Sequence, residues 1–226
     1  MLNPALSSSR RLANLTEPTA LTPRPPQGRK AVISSEELIA AALKLVGPHR
    51  SISTLSLREV AREAGIAPNS FYRHFRDIDE LAVALIELAG ASLRRILSEA
   101  RQRASTERSV VQTSIEVFME QLKSGDGFLP MLLREGKVGS AAFKQAVERQ
   151  LCFFEEELQR DLIRLEHAND HKLDQPALAA RAITRLVFTM ASVAMDLPTA
   201  QQQQMMAETI TMIRMILAGS RAMAGK

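Results

Sequence analysis

Residues 55–81 read LSLREVAREAGIAPNSFYRHFRDIDEL, and the punctuation of this stretch decides the fold. Ser56 and Glu59 stand three apart. At that spacing a hydroxyl accepts from the third helical amide while the carboxylate reaches back to the cap's own N–H. A short helix is therefore expected from there through Ala64. Gly65 stops it, because glycine enters the left-handed conformation of a helix end without a Cβ penalty. Pro68 suits the first turn of the next helix, where its missing N–H has no partner to lose. Asp77 with Glu80 then caps a longer helix to about Arg103, with Leu81, Leu85, Leu88, Ser92, Ile96 and Ala100 along one face.

Ala61 and Gly65 are the small residue and the turn glycine of a helix-turn-helix. A larger side chain at 61 would push the two helices apart. Such a motif sets its second helix in the DNA major groove with the N-terminal residues against base edges. Here that helix opens with Pro68, Asn69 and Ser70; asparagine pairs with adenine through two bonds, and serine is adaptable. The DNA-facing set expected from the stretch is Ser56, Arg58, Ala67, Pro68, Asn69, Ser70, Tyr72, Arg73, His74 and Arg76. Phe71 and Phe75, four apart, face inward and anchor the helix. A small helical core with an incidentally basic surface fits the same spacing.

Charge follows the same division. Residues 1–79 hold 11 Lys/Arg against 7 Asp/Glu, whereas residues 80–226 hold 18 of each. All the excess positive charge sits in the first third, as expected of an end that meets a polyanion. On charge alone, chance accounts for so small an excess equally well.

Upstream, residues 1–30 are rich in Pro, Ser and Thr and carry Arg10, Arg11, Arg24, Arg29 and Lys30, which reads as a disordered basic arm. Ser34 with Glu37 is another capping box, opening a helix with Leu38, Ala42 and Leu45 that Gly47-Pro48 stops. Downstream, Val111, Ile115, Phe118 and Leu122 form a stripe ended by Gly125-Asp126-Gly127, and a short piece spans Phe128 to Arg134. Phe143, Val147, Leu151, Phe154, Leu158, Leu162 and Leu165 recur at helical spacing. Asp174 and Thr199 (with Gln202) read as caps of two last helices, striped by Ala179, Ile183, Leu186, Met190 and Val193, then by Met206, Ile210, Ile213 and Leu217. No β-period run or repeat competes. The fold class is all-α: a three-helix helix-turn-helix DNA-binding domain at 31–79, then a helical ligand-binding and dimerisation domain at 80–226.

Several functions are excluded at this level. No window approaches 18 uninterrupted apolar residues, so no membrane span is expected. The first residues lack a secretory h-region. One cysteine, Cys152, forms no internal disulfide and has no neighbouring His or basic side chain to activate it, so the expected location is cytoplasmic. His167-x-x-x-His171 with Asp170 and Asp174 has metal-ligand chemistry. Asn169-Asp170 nevertheless reads as a turn, so a solvated loop and no metal site are expected. Glu155-Glu156-Glu157 reads as a charged face. No nucleophile–base pair, paired-carboxylate site or phosphate loop is present, so no enzyme and no cofactor are expected.

Beyond these readings, residues 55–81 resemble the N-terminal DNA-binding domain of the TetR family of one-component bacterial repressors. The family's aromatic-Tyr-x-His-Phe run stands as Phe71-Tyr72-Arg73-His74-Phe75, followed by the acidic cap from Asp77 to Leu81. SVVQTSIEVFMEQL (109–122), LLRE (132–135) and SAAFKQAVERQLCFFEEEL (140–158) resemble ligand-domain segments of the branch that represses unsaturated fatty-acid biosynthesis. The likeness covers roughly residues 34–165, fades over the last two helices and is absent from the arm. Many relatives carry Lys at the start of the fourth helix, where this chain reads Arg76-Asp77-Ile78-Asp79.

The resemblance implies a homodimer joined through the last two helices, with two heads on a palindromic double-stranded operator. It also implies a body pocket for a long-chain acyl thioester, on coenzyme A or acyl carrier protein. Phe118, Met119, Leu122, Met131, Phe153, Phe154 and Phe188 would suit the acyl chain, and an ordinary core would want them equally. Apart from Met1, every methionine lies between residues 119 and 223, and methionine adapts to flexible ligands. Arg134 would meet an acidic head group or form a surface ion pair with Glu135. Two other readings stay open: the same fold sensing another hydrophobic molecule, as in efflux control, or a helical lipid- or acyl-carrier-binding protein or enzyme.

Overall fold

A hydroxyl followed three residues later by a carboxylate starts two of the first three helices. In this computed structural model, which describes residues 33–46, 50–103, 107–123, 128–169 and 172–225, the Glu37 amide donates to Ser34 Oγ at 3.2 Å and the Ser34 amide to Glu37 Oε2 at 2.7 Å. They open α1 (Ser35–Val46). Ser56 and Glu59 make the same reciprocal pair at α2 (Leu57–Glu63). Each such cap contributes about 1 kcal/mol. Gly65 follows at φ 68°, the left-handed stop, and the Ile66 amide closes the turn on the Ala61 carbonyl at 2.9 Å. Pro68 is the first residue of α3 (Pro68–Phe71).

The cap of α4 (Ile78–Arg103) differs from the expected box by one residue. The Glu80 amide donates to Asp77 Oδ1 at 2.8 Å, but the Glu80 carboxylate accepts from the Arg76 amide at 2.6 Å instead of from Asp77. That amide, with the Arg76 guanidinium, holds the Glu80 carboxyl below its ordinary range. The arm at 1–30, Gly47-Pro48, Gly125-Asp126-Gly127, Asp170 and His171 lie outside the described residues.

Arg50 ties the connection between α1 and α2 together. Its side chain donates to Thr54 Oγ1 at 2.9 Å and to the Thr54 carbonyl at 2.8 Å, across a 3-10 turn at Ile52–Thr54. Its Nη2 also lies 3.1 Å from Glu59 Oε2. Arg50 first, and the Ser56 hydroxyl and amide after it, hold the Glu59 carboxyl down at about 2. A carboxyl depressed by folding stabilises only while ionised. Its contribution is full above its ordinary value of 4.5 and is lost as pH falls through about 2. Glu59→Gln should therefore flatten the pH dependence of the thermal midpoint between pH 4.5 and 2. A profile as steep as the parent's in that window would show that Glu59 is not the group titrating.

Behind the head, the described elements are all helices: α5 (Glu107–Lys123), α6 (Phe128–Val138), α7 (Ala141–Asn169), α8 (Pro176–Ala194) and α9 (Thr199–Ala224). α7 packs along α4 and α8, α8 along α9, and α4 against α5 and α6. One apolar core runs from Leu38, Phe71 and Phe75 through Leu85 to Phe143 and Phe154. A smaller one joins Ile115, Leu162, Ile183, Ile213 and Leu217.

Four expectations change in the body. The buried seam of α4 runs through Leu81, Leu85, Ala89, Leu93 and Leu97, and Leu88 is 43% exposed with Ser92 and Ile96 half-buried. The line of approach is set by small residues: a methyl on Gly90 would stand 2.6 Å from Gln150 Cγ of α7. α6 does not end at Arg134 but continues to Val138, and the Gly139 amide donates to the Glu135 carbonyl at 3.1 Å. Neither Asp174 nor Thr199 is a cap. Gln175, at φ 49°, precedes α8, and the Asp174 amide donates to the Ser220 carbonyl at 3.1 Å. Pro198 precedes α9, and the Gln202 side chain donates to the Ala194 and Leu197 carbonyls, each at 3.1 Å.

Last, only Glu156 of the glutamate triplet is exposed. Because α7 lies between two helices, its neighbours turn inward. Glu155 takes Arg185 at 2.6 Å and Arg181 at 3.7 Å from α8, and Glu157 takes Arg94 at 3.3 Å from α4. Among the described residues, α8 is the one helix long and apolar enough to cross a bilayer, by length and composition alone. In the bundle its two arginines are held by α7: Arg185 also pairs with Glu148, which lowers the Glu148 carboxyl and raises the guanidinium.

Candidate nucleic-acid interface

The α2–α3 unit is organised around two rings. Phe71 is fully buried and Phe75 nearly so, with centroids 5.8 Å apart. Tyr72 sets its ring edge-on to Phe71 at 6.0 Å and is itself 60% exposed. With the rings fixing α3 from beneath, Ala67, Pro68, Asn69 and Arg73 are exposed and Ser70 is half-buried. Ser56 and Arg58 are exposed at the start of α2. Arg58 and Arg73 form no ion pair among the described residues.

Two of the expected residues are differently placed. His74 is half-buried, and its Nε2 is inaccessible and without a hydrogen-bond partner among the described residues, so that nitrogen is not presented at the surface. Arg76 extends into solvent but pairs with Glu80 at 3.2 Å. Sequence reasoning passed over Arg62, which is exposed and unpaired among the described residues. Its four-residue spacing from Arg58, the spacing of one helix face, was the signal available.

Two neighbours on α6 reach the head. Arg134 Nη1 donates to the Arg50 carbonyl at 3.0 Å, and Glu135, fully buried, accepts from the Ile52 amide at 2.9 Å. The expected surface ion pair between Arg134 and Glu135 is replaced by these two bonds to the α1–α2 connection. Neither the Arg50 carbonyl nor the Ile52 amide has a backbone partner among the described residues.

Inside the body, α4, α5, α7, α8 and α9 line a partly open cavity of about 80 Å³. Phe118, Phe154 and Phe188 form one wall, with Phe188 centred 5.3 Å from Phe118 and 5.2 Å from Phe154. The other expected pocket residues are elsewhere. Met119 lines a space of about 20 Å³ beside the cavity, with Met190, Met205 and Met206. Leu122 and Arg134 line a second, equally open hollow of about 520 Å³, with Lys123 and Lys137. Met131 is fully buried in the core shared with the head. Phe153 is 44% exposed beneath the Arg94 guanidinium, 4.9 Å from its ring centre. About 100° round the helix from Phe154, Phe153 faces Arg94 instead of the cavity. Sequence reasoning missed Leu97, Arg101, Ser114 and Thr184, which do line it. Among the described residues no three His, Cys, Asp or Glu side chains gather as a metal site; His167 is exposed on the last turn of α7, and Cys152 is half-buried.

A helix-turn-helix anchored by an aromatic pair rides on a long helix that continues into a helical body. Residues 38–85 match the family described as "Bacterial regulatory proteins, tetR family", and the head is a domain of that kind. Solved structures share the fold along most of the chain. E. coli NemR in its reduced form is 19% identical over 81% of this chain and 96% of that one, with a TM-score of 0.64. A TetR-family regulator from Pectobacterium atrosepticum is 17% identical over 83% and 93%, TM-score 0.65. The fatty acid degradation regulator FadR from Bacillus halodurans is 13% identical over 82% and 99%, TM-score 0.63. At these identities the likeness is one of fold, and the fold is that of TetR-family regulators.

Proposed function

We propose that this chain is a cytoplasmic, non-enzymatic repressor of transcription. It would bind a palindromic operator as a homodimer and answer to a long-chain acyl thioester. The observation that carries the DNA reading is the division of labour on α3: Phe71 and Phe75 are buried while Asn69 and Tyr72 stand exposed. The division into an arm at 1–30, a head at 31–79 and a body at 80–226 belongs to this reading. So does the DNA-facing set, extended by Arg62.

Pairing through α8 and α9 is supported by large apolar side chains left in solvent. Leu178, Met215 and Met223 are each more than half exposed around a shallow trough, and such patches mark partner surfaces. The acyl reading draws on the phenylalanine-walled cavity, on the resemblance of residues 109–158 to acyl-responsive repressors, and on a shared fold with a protein described as a fatty acid degradation regulator.

Mobility shifts on fatty-acid-biosynthesis promoter duplexes test this, run across a salt series and with saturated or unsaturated acyl-coenzyme A added separately. The expected result is a log–log salt slope of roughly −0.9 per phosphate contact and a complex altered by at least one thioester. A flat slope or no retained DNA ends the repressor reading. A complex blind to both thioesters leaves a repressor answering another hydrophobic molecule. On the same duplexes Asn69→Ala should relax preference at one base pair per half-site, by about 1–3 kcal/mol. Equal weakening on every sequence would place base reading on other residues.

A further inference from the structure

Glu135 of α6 is fully buried, and its carboxylate is poorly satisfied for a core residue. Oε1 accepts from the Ile52 amide at 2.9 Å, while Oε2 is inaccessible and without a hydrogen-bond partner among the described residues. A carboxylate in such a place is costly to desolvate, and an apolar side chain of similar volume would serve the core at least as well. What the carboxylate supplies is direction. Its partner amide lies 83 positions away in the chain, in the connection between α1 and α2. From the preceding position on α6, Arg134 Nη1 donates to the Arg50 carbonyl at 3.0 Å. Arg50 carries the tie onward through Glu59, at 3.1 Å, into α2, the helix that precedes α3.

The head is also joined to the body by α4 and by a shared apolar core. Burial of apolar surface has no preferred direction, and a long helix curves along its length. Neither sets the angle of the head. Two hydrogen bonds from α6, a second helix packed beside α4, do set it, because a hydrogen bond weakens steeply once misaligned.

We propose that Arg134 and Glu135 are positioning residues for operator recognition: they fix the angle between head and body, and with it the half-site spacing that the dimer accepts. The inference rests on the dimeric repressor reading and adds the residues that set the spacing. One base pair added between half-sites moves the second about 3.4 Å along the duplex and about 34° round it. A head held at one angle meets one spacing. A head held by α4 and apolar packing alone swings to meet the neighbouring ones.

The full-length parent first selects its preferred duplex from a random pool, which yields half-site and spacing together. Affinities are then measured on that duplex, on duplexes with one base pair inserted or removed at its centre, and on a single half-site. The parent is expected to lose about hundredfold on either altered spacing, because heads that cannot engage together forfeit their joint binding. Glu135→Met, similar in volume and lacking the acceptor, should bind the single half-site within about twofold of the parent and lose less than about tenfold on altered spacing. Glu135→Gln keeps a carbonyl oxygen for the Ile52 amide and should stay as strict as the parent. If circular dichroism shows Glu135→Met unfolded, Arg134→Met is read in its place, with the same relaxed spacing expected.

A folded Glu135→Met as strict as the parent overturns the proposal. So does one whose single-half-site affinity falls as far as its affinity for the whole operator, because Glu135 would then act within the head alone. A parent indifferent to spacing overturns it as well. If the parent selects no DNA, the repressor reading falls and the proposal with it; if it selects a lone half-site, the dimer reading falls and the proposal with it.

Discussion

Phe71→Ala is expected to cost about 3–5 kcal/mol of folding stability and to lower the thermal midpoint by roughly 10 °C. The ring is fully buried and packs on Phe75 at 5.8 Å. Its removal leaves a void that the short α3 cannot close, because the helix is pinned by Gly65 on one side and by the Asp77 cap on the other. The core containing Phe71 continues through Leu85 into the body, so the damage should reach the global transition. Circular dichroism melts give the midpoint, and amide exchange across α2 to α4 shows where opening begins. DNA binding should weaken with it. A midpoint within a degree or two of the parent would mean that something other than this ring anchors α3.

The second large effect lies at the far end of α4. Arg101→Ala removes the cation between Asp161 and Glu157, whose side chains are only 13% and 25% exposed. Breaking a buried pair by deleting one partner typically costs 3–5 kcal/mol, since the remaining charge is stranded. Arg94 and Arg164 still contact the two carboxylates, which places this case near the lower end, about 3 kcal/mol. The double change Arg101→Met with Asp161→Leu should recover most of that loss, because an apolar pair of similar volume has no charge to desolvate. Denaturant midpoints at constant m-value read both results. A single-variant cost under about 1 kcal/mol would place the pair with solvent-screened bridges.

These two sites mark how far the sequence can be read. Phe71 and the α2–α3 turn are local: caps, a stop glycine, a first-turn proline and two rings four apart lie within one short stretch, and each imposes its geometry on near neighbours. The long stripe from Phe143 to Leu165 is legible for the same reason. Arg101 was not legible, because its meaning comes from Asp161 and Glu157 on α7. The same limit misplaced the α4 seam, where Gly90 admits Gln150, and the triplet at Glu155, where arginines from α4 and α8 turned an apparent charged face inward. It also dispersed the expected pocket. Phe118, Phe154 and Phe188 converge because α5, α7 and α8 meet, whereas Met131 and Phe153 are turned elsewhere by helix rotations that spacing within one element does not set.

One consequence follows from the pair of bonds that α6 makes to the head. Arg134 and Glu135 reach the Arg50 carbonyl and the Ile52 amide from consecutive positions. Each helix position turns the side chain by about 100°. A single codon gained or lost between Phe128 and Arg134 would thus swing both groups off their targets at once, even if every substituted residue were a good helix former. For α6, inherited length constrains change more tightly than composition does. Mutational drift there should proceed by replacement and scarcely ever by insertion or deletion.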